Sequence, residues 1–517
     1  MTKVSLVLLQ SVQKKLIQPR WRYGLALLAG ALLTFSYAPF SQAWLTPILL
    51  CLWLLLLVRS QTAKQAALTG FSFGFGWFAA GISWVYVSID QFGGTPMLVS
   101  VLIMALLCAY LAVYPTLAAW TWFKLRRYTS GLSLFVLPFI WLVSEFLRGW
   151  LLTGFPWLGL GYTQTFSALG NLAPHLGELG ITLALWLIAL GLTYFILHRR
   201  YEWLFLPLVV VLFAWNAPRL NTLEYTGEQT SVALVQGNVV QDLKWDAEQQ
   251  WPNYDTYVEL TQPYLEHDLI IWPESAITFI EPLAQRPLAN LNQLLLAEKT
   301  TLISGIIDLD RYTGEFYNSM IVMGEQPSGG WYYGHENRYQ KHQLLPIGEF
   351  VPFESLLRPL APLFNLPMSS FSRGSYLQSN LNANGINIAA NICYEVAFAR
   401  QIRANVNADT HFLLTISNDT WFGDSHGPHQ HWQIAAMRAR ELGRPMLRAT
   451  NNGITGVIDH TGATLTKIPQ FTEAVATTNV LHVTGMTYFA RFGDTPVWLI
   501  ALFLASVSWR WKKRNSA

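Results

Sequence analysis

The chain has 517 residues, of which 52% are hydrophobic and 13% charged, with a formal net charge of +3. Average proteins carry about 25% charged residues, so a uniformly soluble protein is excluded. The total charge decides nothing, but its distribution along the chain does. Residues 23–216 are almost continuously apolar, 220–490 have ordinary soluble composition, and 496–509 are apolar again.

A membrane helix needs about 20 mostly apolar residues. Apolar runs predict spans near 23–38, 43–58, 67–88, 96–123, 132–150, 178–197, 201–216 and 495–511. Ahead of the first, Val4–Ile17 reads as an interfacial amphipathic helix. The basic stretch before that span is long for a signal peptide, and Tyr37–Ala43 is a poor cleavage site, so the first span is expected to be an uncleaved anchor.

Basic residues set the orientation, because Lys and Arg concentrate in cytoplasmic loops. Lys14, Lys15, Arg20 and Arg22 precede the first span, and Arg59 and Lys64 follow the second. Lys124, Arg126 and Arg127 follow the fourth, Arg199 and Arg200 follow the sixth, and Arg510, Lys512, Lys513 and Arg514 follow the last. The alternate loops at 39–42 and 89–95 carry no Lys or Arg. This pattern predicts about eight spans with both termini cytoplasmic. Residues 1–219 form a membrane domain of about seven spans, 220–490 an extracytoplasmic domain, and 491–517 a last span with a basic tail. In a bacterium the soluble block then faces the periplasm from the inner membrane.

Charges in the spans are few. Glu145 and Arg148 are three apart and share a helix face, where they can neutralise each other. The segment 149–164 reads as an extracytoplasmic loop with a Trp/Tyr belt, serving either as an interfacial anchor or as a ligand contact. No internal repeat is present, which argues against a transporter built from two matching halves.

In the soluble block, strand-like runs occur at 231–236, 269–272, 301–307, 319–323, 386–392, 412–417 and 453–458. Helical patterns occur at 246–266, 282–297, 396–407 and 428–442. The mixture predicts layered α/β packing around sheets. Polar clusters follow several strands, at Gln236-Gly237-Asn238, Pro273-Glu274-Ser275, Cys393-Tyr394-Glu395 and Asn418-Asp419-Thr420. Strand ends are where α/β folds usually place chemistry.

Cys393 is the only cysteine in this polar block; Cys51 and Cys108 lie in apolar runs. An internal disulfide within the block is therefore excluded. The thiol reads either as a buried apolar residue or as a nucleophile. Glu274, delivered by Ile270-Ile271-Trp272-Pro273, is either a solvated loop carboxylate or a general base. Lys341, in an aromatic and apolar stretch, either snorkels to the surface or stabilises an oxyanion. Spacing alone leaves these alternatives open. The apolar, Pro-rich stretch 356–371 is either a packed Ω-loop or a lid on the membrane surface.

Three motifs in this order, Trp272-Pro273-Glu274-Ser275, Lys341 in its stretch, and Ile392-Cys393-Tyr394-Glu395, resemble the nitrilase (carbon–nitrogen hydrolase) superfamily. Ser417–Gly423 and Arg438-Ala439-Arg440-Glu441 are also similar to its later segments. With the flanking spans, the Pro346–Pro352 motif and the Gly154–Tyr162 loop, the chain resembles that superfamily's membrane-bound branch, the apolipoprotein N-acyltransferase family. Ile347 stands where Phe is expected in many members.

The resemblance implies a four-layer αββα sandwich and a catalytic set of Glu274 as base, Lys341 as oxyanion stabiliser and Cys393 as nucleophile. It makes Trp245, Glu349, Tyr394 and Glu395 supporting or substrate-contact positions. It implies that Cys393 takes an acyl chain from a phospholipid, typically phosphatidylethanolamine, as a thioester. The acceptor is then the amino group of a diacylglyceryl-cysteine on an apolipoprotein. No cofactor, metal or nucleic acid is called for. The rival readings are a membrane-tethered amidase or nitrilase that uses water, and a non-enzymatic transporter or receptor.

Overall fold

The computed structural model describes residues 18–129, 131–220, 222–346, 348–350 and 370–515. The expectations for Val4–Ile17, for Ile347 and for nearly all of 356–371 lie outside these residues. The chain divides into two compact units. One holds the described residues up to Tyr86, Pro96–Leu220 and those from Phe492 onward; the other holds Val87–Thr95 and the described residues of 221–491.

The first unit is helical. Its main helices are Pro19–Leu32, Leu45–Leu57, Ala63–Gly81, Met97–Leu125, Leu137–Arg148, Ala173–His198, Phe205–Asn216 and Thr495–Asn515. By length and apolar composition, three stretches can cross a membrane: Met97–Tyr128, Ala168–His198 and Tyr201–Leu220. A fourth is added if Ala63–Gly81 and its bent continuation Trp84–Phe92 count as one, so the straight span expected at 67–88 is broken. Leu45–Leu57 and Thr495–Trp509 are apolar but shorter.

Small residues let these helices approach closely, as apolar helices must when no hydrophobic force drives them together. A Cβ at Gly76 would collide with the carbonyl of Leu27 on the neighbouring helix. Buried Trp53, Trp77, Trp141 and Trp186 fill the interior, with Trp141 and Trp186 ring centroids 5.0 Å apart.

Within 149–164, Trp150 and Leu152 are exposed. Trp157, Leu158 and Tyr162 are buried. Buried Arg148 donates to the carbonyls of Phe155 and Trp157, and the half-buried Glu178 carboxylate accepts from Gly161 N at 2.7 Å. Glu145 and Arg148 do pair, at 3.9 Å, and Trp141 Nε1 donates to the same carboxylate at 2.9 Å.

The second unit contains two six-stranded sheets. The first is built from β1 (Leu223–Gln236), β2 (Leu269–Ile271), β3 (Thr301–Leu309), β4 (Phe316–Met323), β5 (Arg338–Gln340) and β12 (Ala474–Gly485), in the order β12-β1-β2-β3-β4-β5. The second is built from β6 (Leu381–Ala383), β7 (Ile386–Ile392), β8 (Phe412–Ser417), β9 (Met446–Thr450), β10 (Thr455–Ile458) and β11 (Thr464–Ile468), in the order β11-β10-β9-β8-β7-β6. In each sheet three central strands run parallel, β1-β2-β3 and β7-β8-β9.

Side-chain alternation separates the layers. Val232, Leu234, Leu269 and Ile271 pack with Ile388, Ile392, Leu414 and Leu447 in one core that joins the two sheets. Their neighbours Ala233, Val235 and Ile270 face a second core containing Tyr254 and Tyr257 of helix Gln250–Thr261 and Leu288, Leu291 and Leu295 of helix Gln285–Glu298. Helix Gly427–Leu442, nearly all of it buried, packs against the second sheet and the Cys393 turn. This is the expected αββα layering. It brings the carboxyl ends of β2, β7 and β8 together.

Candidate active site

Each central side chain leaves the end of a strand. Glu274 lies three residues past β2, in a turn whose next residue, Ser275, has φ +50°. The turn lies flat against β3: a Cβ at Gly305 would sit 2.8 Å from Glu274 Cα, so only glycine fits there. Cys393 directly follows β7 and opens a 3₁₀ turn, Cys393–Ala397, with φ +55°. Lys341 directly follows β5, and its N–H donates to Asn318 O at 2.8 Å.

Glu274 and Lys341 are buried and Cys393 is half-buried. Lys341 Nζ lies 3.3 Å from Glu274 Oε1 and 2.9 Å from Glu349 Oε1. Asn318 Nδ2 donates to the same two oxygens, at 2.8 Å each. Glu274 Oε2 accepts from Asn418 N at 2.9 Å, and Glu349 Oε2 from Leu345 N at 2.8 Å. Both carboxylates are thus fixed by N–H donors, and one ammonium serves two of them.

The electrostatics follow from this sharing. Burial disfavours the Lys341 cation, but Glu274 and Glu349 outweigh it and hold its pKa above the ordinary value. Burial pushes the Cys393 thiol up, Glu274 adds to the rise, and Lys341 only partly offsets it. At rest the side chain is therefore held as a thiol. Lys244 is a second buried cation. Its Nζ donates to the Glu274 carbonyl at 3.2 Å, and burial pulls its pKa down to about 8 against the attraction of Glu274.

The remaining expected positions separate by role. Glu349 belongs to the charged cluster. Glu395 is fully buried and collects five donors: His342 N, Gln343 N, Gln401 Nε2, Tyr339 OH and Ile392 N, at 2.7–3.1 Å. It ties the segment after Lys341 to the strand before Cys393. Tyr394 is buried against Phe398, with ring centroids 5.1 Å apart. Trp245 is half-buried and follows Lys244.

Asn318 and Lys244 carry no role in the sequence reading, whereas Asn418 lies in one of its strand-end polar clusters. Asn318 sits mid-strand with no motif around it. The only available signal for Lys244 was its place beside Trp245. Among the described residues, no group of three or more His, Cys, Asp or Glu could hold a metal ion.

Residues 231–484 match the carbon–nitrogen hydrolase family, and residues 29–191 match the apolipoprotein N-acyltransferase N-terminal domain. Among solved structures, Saccharomyces cerevisiae Nit3, a member of branch 10 of the nitrilase superfamily, aligns with a TM-score of 0.37 and 17% identity, covering 49% of this chain and 90% of that one. The apolipoprotein N-acyltransferase of Vibrio vulnificus is 44% identical over 494 residues, 95% of this chain and 97% of that protein. That of Photobacterium profundum is 45% identical over 497 residues, 95% of each chain. With this likeness running through both the helical and the α/β parts, the chain belongs to the apolipoprotein N-acyltransferase family.

Proposed function

We propose that this protein transfers an acyl chain from a phospholipid to the α-amino group of a diacylglyceryl-cysteine at the N-terminus of an apolipoprotein, through a thioester on Cys393. The observation that carries the reading is the clustering of Glu274, Lys341 and Glu349 beside Cys393 in a chain that matches this family along its length.

In the first half-reaction Cys393 Sγ attacks the ester carbonyl of the donor, and the thiol proton passes to Glu274. The oxyanion that forms is stabilised by the Lys341 ammonium, held in place beforehand by two carboxylates. The intermediate collapses by breaking the acyl C–O bond. Glu274 returns its proton to the leaving oxygen, and a lysophospholipid departs. In the second half-reaction the acceptor amine attacks the thioester, loses a proton to Glu274, and the sulfur leaves to be reprotonated. The thioester conserves the activation of the ester, so no nucleotide is consumed. Phosphatidylethanolamine is the donor we expect. Trp245 and Tyr394 are assigned to substrate contact, and Glu349 and Glu395 to support of the catalytic groups.

The topology belongs to the same reading: about eight spans in the inner membrane, both termini cytoplasmic, residues 220–490 periplasmic as the catalytic domain, and 491–517 a last span with a basic tail. The Lys and Arg distribution supports it. A reporter fused after Arg219 that is active only in the cytoplasm would contradict it.

The test of function supplies purified protein with phospholipid and a diacylglyceryl-cysteine peptide, or with a short amide. N-acylated peptide is the expected product. Ammonia release from the amide without peptide acylation would favour a membrane-tethered amidase instead.

A further inference from the structure

One buried titratable cluster takes no part in the chemistry above. His431, on helix Gly427–Leu442, is fully buried, with Nε2 3.1 Å from the carbonyl oxygen of Cys393. A carbonyl only accepts, so Nε2 carries the proton. Nδ1 lies 3.0 Å from Asp419 Oδ1, just past β8, and 3.0 Å from an Arg448 guanidinium nitrogen on β9. Arg448 also pairs with Asp419 Oδ2 at 2.6 Å. Ser417 Oγ donates to Asp419 Oδ1 at 2.6 Å, and its hydroxyl favours the Cys393 thiolate, partly opposing the rise in the thiol pKa. One network therefore holds the Cys393 carbonyl through His431 and acts on the sulfur through Ser417.

Burial opposes the Asp419 carboxylate, but Arg448 and His431 outweigh it and hold its pKa well below the usual range. Burial, with Arg448, pushes the His431 pKa down against the pull of Asp419. The other charged groups acting on the thiol are Glu274 and Lys341, both on the first sheet's side. Cys393 also holds a left-handed backbone, at +55°, which is unfavourable for a non-glycine residue and needs outside support.

We propose that His431, Asp419, Arg448 and Ser417 form a positioning network that fixes the backbone of Cys393 and presents the Ser417 hydroxyl to its sulfur. The network touches no substrate. It acts through Cys393, so the inference rests on the reading of Cys393 as nucleophile. As the sulfur gives up its proton to Glu274, the hydroxyl turns from Asp419 to Sγ, and Arg448 continues to compensate Asp419.

The test is the rate of Cys393 alkylation by iodoacetamide in purified full-length protein, followed by peptide mass between pH 6 and 10. It needs no lipid, so it reads the network apart from acyl transfer. Ser417→Ala should displace the rate-versus-pH curve upward by about one pH unit, which is about tenfold in rate at a given pH. His431→Leu should slow alkylation by about tenfold across the range. His431→Gln, whose amide N–H can reach the same carbonyl, should restore it to within about threefold. A Ser417→Ala curve superposable on wild type overturns the proposal, even if His431→Leu does not fold. So does a His431→Gln variant that folds but reacts no faster than His431→Leu. Normal acyl transfer by Cys393→Ser would instead sink the nucleophile assignment, whatever the alkylation rates.

Discussion

Replacing Lys341 by Met removes one charge from a site where two carboxylates depend on it. Lys341 Nζ is 3.3 Å from Glu274 and 2.9 Å from Glu349, and Asn318 holds the same two oxygens at 2.8 Å. Without the ammonium, two buried carboxylates face one another across a neutral amide. Breaking a buried pair by removing one partner typically costs about 3–5 kcal/mol. For a domain of this size that lowers an apparent melting midpoint by roughly 6–20 °C.

The loss should depend on pH. With no ammonium between them the two carboxylates repel, and protonating one of them relieves that repulsion, so the deficit shrinks as pH falls. Lys341→Met should therefore be closer to wild type at pH 5 than at pH 8. Wild type should lack this trend from Lys341, whose own raised pKa places its loss of stability well above neutrality. Melting scans of both proteins at fixed rate across this range are the assay. An equal deficit at pH 5 and pH 8, or none, would refute the charge-sharing argument.

Glu274→Gln keeps the shape, but its –NH₂ must oppose either Asn418 N or the Lys341 and Asn318 donors, so its melting midpoint should fall while Glu349 still holds Lys341. Acyl transfer should fall by about 10²–10⁴, the usual cost of losing a general base, and turnover near wild type would reject the assignment. Glu395→Gln should lose stability and activity together, because five donors converge on that carboxylate and an amide –NH₂ would oppose some of them. A stable but inactive variant would show that Glu395 serves chemistry rather than support. Gly76→Leu should fail to give folded protein in detergent, since its Cβ would meet the Leu27 backbone; a monodisperse, active variant would contradict the close helix packing.

The sequence made the catalytic layers legible where periodicity and motif coincide. β2, β7 and β8 are short apolar runs that end in polar clusters, and their residues do meet at strand ends. β5, β6, β9, β11 and β12 escaped detection. Met446–Thr450 carries a central Arg448 that looks incompatible with a buried strand until Asp419 is found beside it. Thr464–Ile468 and Ala474–Gly485 are half-exposed and polar, so alternation is weak there.

Likewise, Trp157 and Tyr162 looked interfacial because aromatic residues near span ends usually are. Only the distant partners Arg148 and Glu178 explain their burial. Asn318 and His431 carry no local signal at all; their roles follow from which strands and helices the fold brings together.

The most direct test of the central claim is the intact mass of the protein after exposure to phospholipid without acceptor. The account predicts one fatty-acyl addition, mapped to Cys393. Neutral hydroxylamine should remove it, and so should a diacylglyceryl-cysteine peptide, which becomes N-acylated. Cys51→Ser and Cys108→Ser should behave as wild type. An acyl group on another residue, or normal transfer by Cys393→Ser, would contradict the account.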